Sequence, residues 1–297
     1  MGTHGHHGNH SGPHTGHGHA ASFDFAEAAP RFAARADAET DRYRRLAAQL
    51  TEPGDQVAAD IGCGAASMAF ALAEALPDAR VVAVDAEPAM LEVVSERAAE
   101  RGIPVQTALA SVDDPDALAA AIGSPADLIW AGHVIHHATD PRAALNNLAG
   151  LLDQGGRLAI GEGGTAPQYL PWHLGVGRPG LELRLIEAGS RRLEGDRIEH
   201  GAEPLPYGWN LALERAGLAE VRTVNELVAL PAPLEGPDRE HAIESLVTKV
   251  GWFEHYLTEE DRAAWAELLD EDGPNWLGNR RDLHRLGIDT VYTAVKP

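Results

Sequence analysis

A carboxylate and two glycines lie close together in the segment VAADIGCGAAS, residues 57–67. Glycine-rich turns that open a helix bring backbone N–H groups close to a bound nucleotide. Asp60 comes just before the turn, where a carboxylate would repel a phosphate and attract an ammonium group. Ser67 occupies the position of the third glycine in a dinucleotide-binding loop. The segment therefore favours a cofactor without phosphates that carries a cationic amino-acid tail.

A second carboxylate, Asp85, ends the apolar run ARVVAVD about 20 residues after the glycine turn. A carboxylate at this distance, at the end of the next strand, can accept hydrogen bonds from the two hydroxyls of a ribose. Together, Asp60 and Asp85 predict a site for an adenosine whose far end carries an ammonium group.

Three histidines, His133, His136 and His137, follow the apolar run ADLIWAG. Histidine is the usual general base near neutral pH, because its ordinary pKa is about 6.5. We expect His133, His136 and Glu162 to be catalytic. Glu162 would orient a substrate amine or a histidine, and the alternative is that it lies solvated at the rim of the site. Packing and helix capping are the alternative roles, above all for His137. We expect no metal site, since adjacent histidines point in different directions.

Strand-like and helix-like segments alternate between residues 56 and 161. The predicted strands are 56–61, ARVVAVD, 105–110, ADLIWAG and GGRLAIGEGG, and the predicted helices are 65–76, 90–101, 114–122 and 141–152. Five such units with continuous apolar strands predict a doubly wound α/β fold with a parallel sheet covered on both faces. In such folds the ligand binds at the carboxyl ends of the strands.

The remainder of the chain divides into a tail, a helical segment and a C-terminal part. Residues 1–20 are Gly/His-rich, and we expect them to be disordered; their histidines can bind metal ions, but no spacing defines a tetrahedral site. Residues 21–50 predict two helices that are separated at Pro30. Residues 51–165 form the predicted core, and residues 166–297 the predicted remainder of the sheet with insertions.

The composition excludes several classes of protein. A formal charge of −21 disfavours binding to nucleic acids and anionic membranes. A single cysteine forms no internal disulfide, and no apolar run approaches the ~18 residues of a transmembrane helix. The N-terminus also lacks the apolar core of a signal peptide. We therefore expect a soluble cytoplasmic protein, and the sequence leaves a homodimer open.

Four motifs in order carry a family resemblance: DIGCGAAS, VVAVDAEPAML, ADLIWAGHVIHHATDP and LLDQGGRLAIGE. In these residues the sequence resembles the class I S-adenosylmethionine-dependent methyltransferases. The resemblance is firm over residues 50–165 and loose to the end, where LERAGLAEVRTV and TVYTAVK are similar to the family's last two strands. It implies a Rossmann-like, mostly parallel seven-stranded sheet and S-adenosylmethionine as cofactor.

The resemblance also implies a set of cofactor-binding residues. Asp60 and the glycines would lie at the methionine end of the cofactor, and Asp85 at the ribose. Ser111 stands where many members have an aspartate for the adenine amino group. The full set is Asp60, Gly62, Cys63, Gly64, Asp85, Ala86, Met90, Ser111, Val112 and His133.

The part after residue 165 is the expected substrate lid. Aromatic residues are concentrated there, and we expect four side chains to bind substrate: Trp172, Tyr207, Trp209 and His255. The alternative is that these aromatics attach the added helices to the core. Arg178, Arg184, Arg191 and Arg192 could recognise an acidic substrate group, or balance neighbouring acidic side chains, which we favour.

The predicted function is transfer of a methyl group from S-adenosylmethionine to an oxygen or nitrogen of a small molecule. The Ala- and Arg-rich composition is typical of high-GC bacteria, in which many such enzymes tailor natural products. Two alternatives stay open. A member of this fold can catalyse cyclisation or elimination instead of methylation, or the His-rich tail can make the protein a metal-handling or regulatory protein.

Overall fold

The computed structural model describes residues 25–199, 201 and 203–297. The predicted Gly/His-rich tail, residues 1–20, lies outside the described residues.

Two helices precede the sheet, α1 (Phe25–Ala38) and α2 (Thr40–Leu50). The prediction that Pro30 separates them is wrong, since Pro30 lies inside α1 and the break falls at Glu39. A proline in the second turn removes one backbone hydrogen bond without ending the helix. Backbone hydrogen bonds also continue across the break, from Glu39 N to Arg35 O and from Tyr43 N to Glu39 O.

The predicted alternation of strands and helices is present in the core. Its strands are β1 (Val57–Ile61), β2 (Arg80–Asp85), β3 (Gln106–Leu109), β4 (Ala126–Gly132) and β5 (Leu152–Gly161). Its helices are α3 (Ser67–Ala75), α4 (Pro88–Arg101), α5 (Pro115–Ile122) and α6 (Pro141–Leu151), and a short 3₁₀ helix, Ile135–His137, follows β4.

The C-terminal part adds three strands and four helices within the described residues. They are β6 (Thr165–Gln168), α7 (Leu181–Glu199), α8 (Trp209–Arg215), β7 (Ala219–Leu230), α9 (Gly236–Phe253), α10 (Glu259–Leu269) and β8 (Arg285–Val295). The sequence reading did not predict α7, because its Gly, Arg and Glu residues obscure the apolar spacing. None of the described helices combines the length and apolar character that a bilayer-spanning helix needs.

The sheet has the order β3-β2-β1-β4-β5-β8-β6, and β7 pairs with the other edge of β8. Strands β1 to β5 pair in parallel, whereas β8 is antiparallel to β5, β6 and β7. The predicted mostly parallel Rossmann-like fold is confirmed, with eight strands in the described residues where seven were expected. The additional strand is β6, a four-residue segment that pairs with the first half of β8.

Alternate residues of the central strands pack on opposite faces of the sheet. Ala59 and Ile61 belong to one apolar cluster with α5 and α6, whereas Ala58 belongs to another with α2 and α3. Both faces are therefore covered, as the continuous apolar runs of the strands predict. A third cluster, around the fully buried Trp265, joins α7, α9 and α10. The carboxyl ends of the central strands remain accessible as a ligand site.

Candidate functional site

A cavity of about 610 Å³ opens at the carboxyl ends of β1, β2 and β4. Its volume is within the ~300–1,000 Å³ range of small-molecule sites. The ten residues that the sequence assigns to the cofactor all line this cavity: Asp60, Gly62, Cys63, Gly64, Asp85, Ala86, Met90, Ser111, Val112 and His133. The fold thus brings together residues from three separate motifs and from the segment after β3, as expected for a ligand at this edge of a doubly wound sheet.

The glycine turn after β1 has left-handed backbone geometry at Gly62 and Gly64, with φ of +65° and +51°. Cys63 N donates to Val84 O over 3.0 Å, which anchors the turn to β2. The Cys63 thiol is buried in the loop, and burial raises its pKa well above the ordinary value. Cys63 therefore has the character of a small packing residue and not of a nucleophile.

The two glycines differ in the space around them, which gives a matched test of the loop. A Cβ on Gly62 would lie 2.1 Å from Val134 Cγ2, whereas a Cβ on Gly64 would meet no atom within 4 Å. We expect Gly62→Ala to lower the free energy of unfolding by about 3 kcal/mol. Gly64→Ala should lower the free energy of unfolding by only about 1 kcal/mol, which is the backbone strain of a non-glycine residue in this conformation. Urea denaturation of the two variants measures both values, and equal losses would contradict the packing argument.

Asp60 is buried, and its Oδ2 accepts a hydrogen bond from Ala69 N in α3 over 2.9 Å. Burial raises the pKa of this carboxyl to about 8, and the neighbouring charge of Asp85 raises it as well. A buried carboxyl in this state becomes ionised when a cation approaches it. Asp60 is therefore suited to a ligand that carries an ammonium group.

Both oxygens of Asp85 already accept backbone hydrogen bonds. Gly64 N donates to Oδ2 over 2.8 Å, and Glu87 N donates to Oδ1 over 2.9 Å. Each carboxylate oxygen can accept more than one hydrogen bond, so both remain able to accept a hydroxyl. The backbone contacts fix the orientation of the carboxylate at the cavity wall.

Ser111 and Asp113 form the next part of the cavity wall. Asp113 also lines the cavity, although the sequence reading did not select it. Its carboxylate accepts hydrogen bonds from Thr139 N and Thr139 Oγ1, and its own N–H donates to Ser111 Oγ over 3.2 Å. Asp113 thus ties the loop after β3 to the segment before α6.

His133 lines the cavity in a strained backbone conformation, with φ of +58°. Its N–H donates to Gly161 O over 2.8 Å, which continues the pairing of β4 with β5. Burial lowers the pKa of His133, so the neutral imidazole is favoured at pH 7. His137, to which we gave packing or capping as the main role, also lines the cavity.

His136 and Glu162 form a pair outside the cavity lining. Glu162 is 2% exposed, and its Oε2 lies 2.8 Å from His136 Nδ1. Its Oε1 accepts from Val134 N and Ile135 N over 3.0 and 2.8 Å, so the carboxylate holds the start of the 3₁₀ helix. These contacts give Glu162 a positioning role instead of direct contact with the site. Over the part of the chain that is described, no group of three or more metal-ligating side chains occurs.

The remaining wall of the cavity comes from α1 and α2, which the sequence reading did not assign to the site. Phe32, Arg35 and Glu39 line it from α1 and the following junction, and Tyr43 lines it from α2. The signal that could have indicated them is the pair of aromatics in a segment otherwise dominated by Ala, Arg and Glu. Within the described residues, no residue after His137 lines the cavity.

The four predicted substrate residues are not brought together at this cavity. Trp172 is 57% exposed and covers Gly180, and the His255 side chain is 88% exposed. Tyr207 and Trp209 pack against the core cluster on one face of the sheet, with Arg215 stacked on the Tyr207 ring. The alternative role, attachment of the added segments to the core, accounts for Tyr207 and Trp209.

The four arginines of the first insertion have partners within the C-terminal part. Arg184 forms an ion pair with the buried Asp261 over 2.8 Å, and Arg178 pairs with Glu260 over 3.0 Å. Arg191 and Arg192 donate to backbone carbonyls of the segment after α9 and of its last turn. These contacts support the favoured alternative, in which the arginines balance neighbouring groups of the protein, over recognition of a substrate.

Comparison with known proteins supports the family resemblance. Residues 59–158, about a third of the chain, match the family model described as a methyltransferase domain. The match agrees with the class I S-adenosylmethionine-dependent methyltransferases, which the sequence resembles. The methyltransferase domain thus contains the glycine turn, Asp85 and the His133 segment, and it ends within β5.

Relatives of the methyltransferase domain extend over part of the chain. A trans-aconitate 2-methyltransferase from Methylobacterium radiotolerans is 30% identical over 164 residues, which are 50% of this chain and 58% of the relative. A ubiquinone biosynthesis O-methyltransferase from Xylella fastidiosa is 34% identical over 101 residues, which are 34% of this chain and 39% of the relative. The chain therefore spans less than two thirds of either relative.

The fold of the methyltransferase domain and its C-terminal additions is similar to that of a solved structure. The YcgJ protein from Bacillus subtilis aligns with a TM-score of 0.51 and 18% identity, and the alignment covers 86% of this chain and 98% of that chain. At this identity the similarity concerns the fold alone.

Proposed function

We propose that this protein transfers the methyl group of S-adenosylmethionine to an oxygen or nitrogen atom of a small molecule. The observation that carries the proposal is the placement of Asp60 and Asp85 on one cavity of the methyltransferase domain. Two carboxylates that line one cavity match a ligand with an ammonium group at one end and a ribose in its middle.

The residues present fit the cofactor. Asp60 would hold the ammonium group, and Asp85, already oriented by Gly64 N and Glu87 N, would accept the ribose hydroxyls. Ala86, Met90 and the Ser111 segment would flank the adenine. When bound, the cofactor supplies a methyl group on a positively charged sulfur, which is an activated electrophile. The protein then has to align a nucleophile with that methyl group.

His133 is the proposed base for a nucleophile that must lose a proton. It lines the cavity, and its lowered pKa keeps a ring nitrogen free to accept a proton at pH 7. His136 and Glu162, which were predicted to be catalytic, would act through the backbone of residues 134–136 by holding the 3₁₀ helix beside His133.

The relatives support oxygen as the acceptor atom. One of them is an O-methyltransferase by name, and the name of the other refers to an organic acid. We extend the proposal to a tailoring step in natural-product biosynthesis in the cytoplasm, in keeping with the Ala- and Arg-rich composition.

Calorimetric titration with S-adenosylhomocysteine and with NADH tests the cofactor assignment. We expect S-adenosylhomocysteine to bind with a dissociation constant in the micromolar range, about 8 kcal/mol of binding free energy. NADH should bind at least 100-fold more weakly, because Asp60 lies where a phosphate would approach. Tighter binding of NADH than of S-adenosylhomocysteine would overturn the proposed function.

A further inference from the structure

Four basic side chains from three elements lie around the α1 side of the cavity. They are Arg35 from α1, His241 and Lys249 from α9, and Arg285 from β8, and together they are called the basic cluster here. Only Arg35 lines the cavity itself. The other three come from the C-terminal part of the chain, so the basic cluster lies where that part approaches α1.

Glu39 connects the cavity to the basic cluster. Glu39 and Arg35 both line the cavity, and Glu39 Oε1 lies 3.3 Å from Arg35 Nε. The same oxygen lies 3.9 Å from Arg285 Nη2. The Glu39 carboxylate is thus shared by two guanidinium groups of the basic cluster, and its other oxygen lies 3.9 Å from Arg42 Nη1. It therefore compensates Arg35 and Arg285 only in part.

Tyr169 connects Arg285 to the two basic side chains of α9. His284 N donates to Tyr169 O over 3.0 Å, which places the start of β8 beside Tyr169. The Tyr169 hydroxyl lies 3.5 Å from His241 Nε2, and Lys249 Nζ lies 5.3 Å from the centre of the Tyr169 ring. The basic cluster is therefore built around a tyrosine that is only 2% exposed.

Two donors of the basic cluster lack an acceptor in the described residues. Lys249 makes no hydrogen bond or ion pair there, whereas the other lysine of the chain, Lys296, donates to the carbonyls of Gly150 and Leu152. Arg285 Nε is buried and has no hydrogen-bond partner either. A buried donor without an acceptor, such as Arg285 Nε, is costly, and the half-buried Lys249 ammonium is a second available donor, so a ligand that accepts from both gains affinity.

The charges within the basic cluster act on one another. Burial lowers the pKa of Lys249, and the positive charges of Arg35 and Arg285 lower it further, against the opposing carboxylate of Glu182. That carboxylate is already bound to the backbone, since it accepts from Tyr169 N and Leu170 N. An additional anion between Lys249 and Arg285 would relieve this repulsion.

We propose that the basic cluster binds the oxyanion of an acidic substrate, a carboxylate or a phosphate on a small organic molecule, at the edge of the cofactor cavity. The inference rests on the proposed function and names its substrate class. In a chain of net charge −21, long-range electrostatics repel acids, so selection of an acid needs local cations of this kind. Lys249 and Arg285, each with a donor that has no acceptor in the described residues, supply these cations.

Calorimetric titrations of the full chain saturated with S-adenosylhomocysteine test the inference. The probes are glutarate for a dicarboxylate, glycerol 3-phosphate for a phosphate, and glutaramide as the neutral analogue of glutarate. We expect one of the two anions to bind at least tenfold more tightly than glutaramide, with an affinity that falls as the salt concentration rises. The preferred anion identifies the oxyanion as carboxylate or phosphate.

Variants assign the binding to the basic cluster. Lys249→Met and Arg285→Gln should each weaken anion binding at least tenfold, and Lys249→Arg should keep most of it. Arg222→Gln is the matched control, because Arg222 is 74% exposed on β7 and pairs there with Glu220, two residues away. It removes one positive charge and should change the anion affinity less than twofold.

The outcomes separate the two proposals. If S-adenosylhomocysteine does not bind, the proposed function fails. If it binds but neither anion binds better than glutaramide, or if Lys249→Met and Arg222→Gln have equal effects, only the acidic substrate class is overturned. Binding of S-adenosylhomocysteine by Lys249→Met shows that the variant is folded, since Lys249 does not line the cofactor cavity.

Discussion

Asp60→Asn is expected to weaken binding of S-adenosylhomocysteine by about 100-fold and, at the same time, to stabilise the free protein. The loss of affinity arises because a neutral amide replaces the carboxylate that would pair with the ammonium group, a difference of about 3 kcal/mol. The gain in stability arises because folding takes the Asp60 carboxyl out of water. Calorimetry and thermal unfolding measure the two effects separately.

The pH dependence follows from the raised pKa of Asp60. The folded, ligand-free protein holds the proton up to about pH 8, whereas an unfolded chain releases it near the ordinary 3.8. The stability of the wild type should therefore fall between about pH 4 and pH 8, and Asp60→Asn should lack this contribution. The difference between the two pKa values sets an upper limit of about 5 kcal/mol on the gain in stability of the variant at pH 8.

Cofactor affinity should show the complementary dependence. Because Asp60 must lose its proton to pair with an ammonium group, the dissociation constant should fall up to tenfold per unit between pH 6 and pH 8. Titration at pH 7 in two buffers of different ionisation enthalpy should show the release of close to one proton. An affinity of the wild type that is independent of pH over this range is the result that contradicts the assignment.

Glu162→Ala is expected to lower the free energy of unfolding by about 3 kcal/mol, because it leaves Val134 N and Ile135 N without their acceptor. The effect should extend to the cofactor site, since Val134 is the side chain that packs against Gly62. We expect a tenfold weaker affinity for S-adenosylhomocysteine. Urea denaturation and calorimetry check the two values.

Two further variants make the Glu162 experiment specific. Glu162→Gln keeps an oxygen acceptor for the two backbone donors and should lose about 1 kcal/mol. Glu92→Ala, on the exposed face of α4, removes a carboxylate that has no such role and should change stability by less than ~0.5 kcal/mol. Equal losses in Glu162→Gln and Glu162→Ala would mean that charge, and not the backbone contacts, carries the effect.

The sequence was sufficient for the cofactor side of the cavity because each of its residues belongs to a local motif. Asp60 and Asp85 lie at the ends of apolar strands and His133 follows one, and the ends of parallel strands meet at one edge of the sheet. Nothing beyond strand order is needed to bring them together. The same argument explains why the first four core strands were predicted within one residue of their observed bounds, whereas β5 begins and ends three residues earlier than predicted.

Other features depend on contacts between distant parts of the chain. The role of Glu162 follows from backbone donors that lie 27 and 28 residues earlier, and no local pattern marks such a pairing. Arg35 and Tyr43 reach the cavity only because α1 and α2 pack across the carboxyl ends of the strands. Aromatic content alone selected Trp172 and His255, and it does not distinguish a cavity wall from an exposed surface.

The position of Glu39 between Arg35 and Arg285 has a consequence for selectivity. The protein supplies its own anion to these two guanidinium groups, and this anion is tethered, so its effective concentration is high. A simple monoacid that displaces Glu39 exchanges one ion pair for another and gains little. A molecule that also reaches Lys249 gains a hydrogen bond that no group of the described residues makes to this ammonium, because the nearby Glu182 carboxylate is bound to the backbone. Glu39 would therefore compete with any acid that contacts Arg35 and Arg285 alone, and it would favour a substrate whose oxyanion also reaches Lys249.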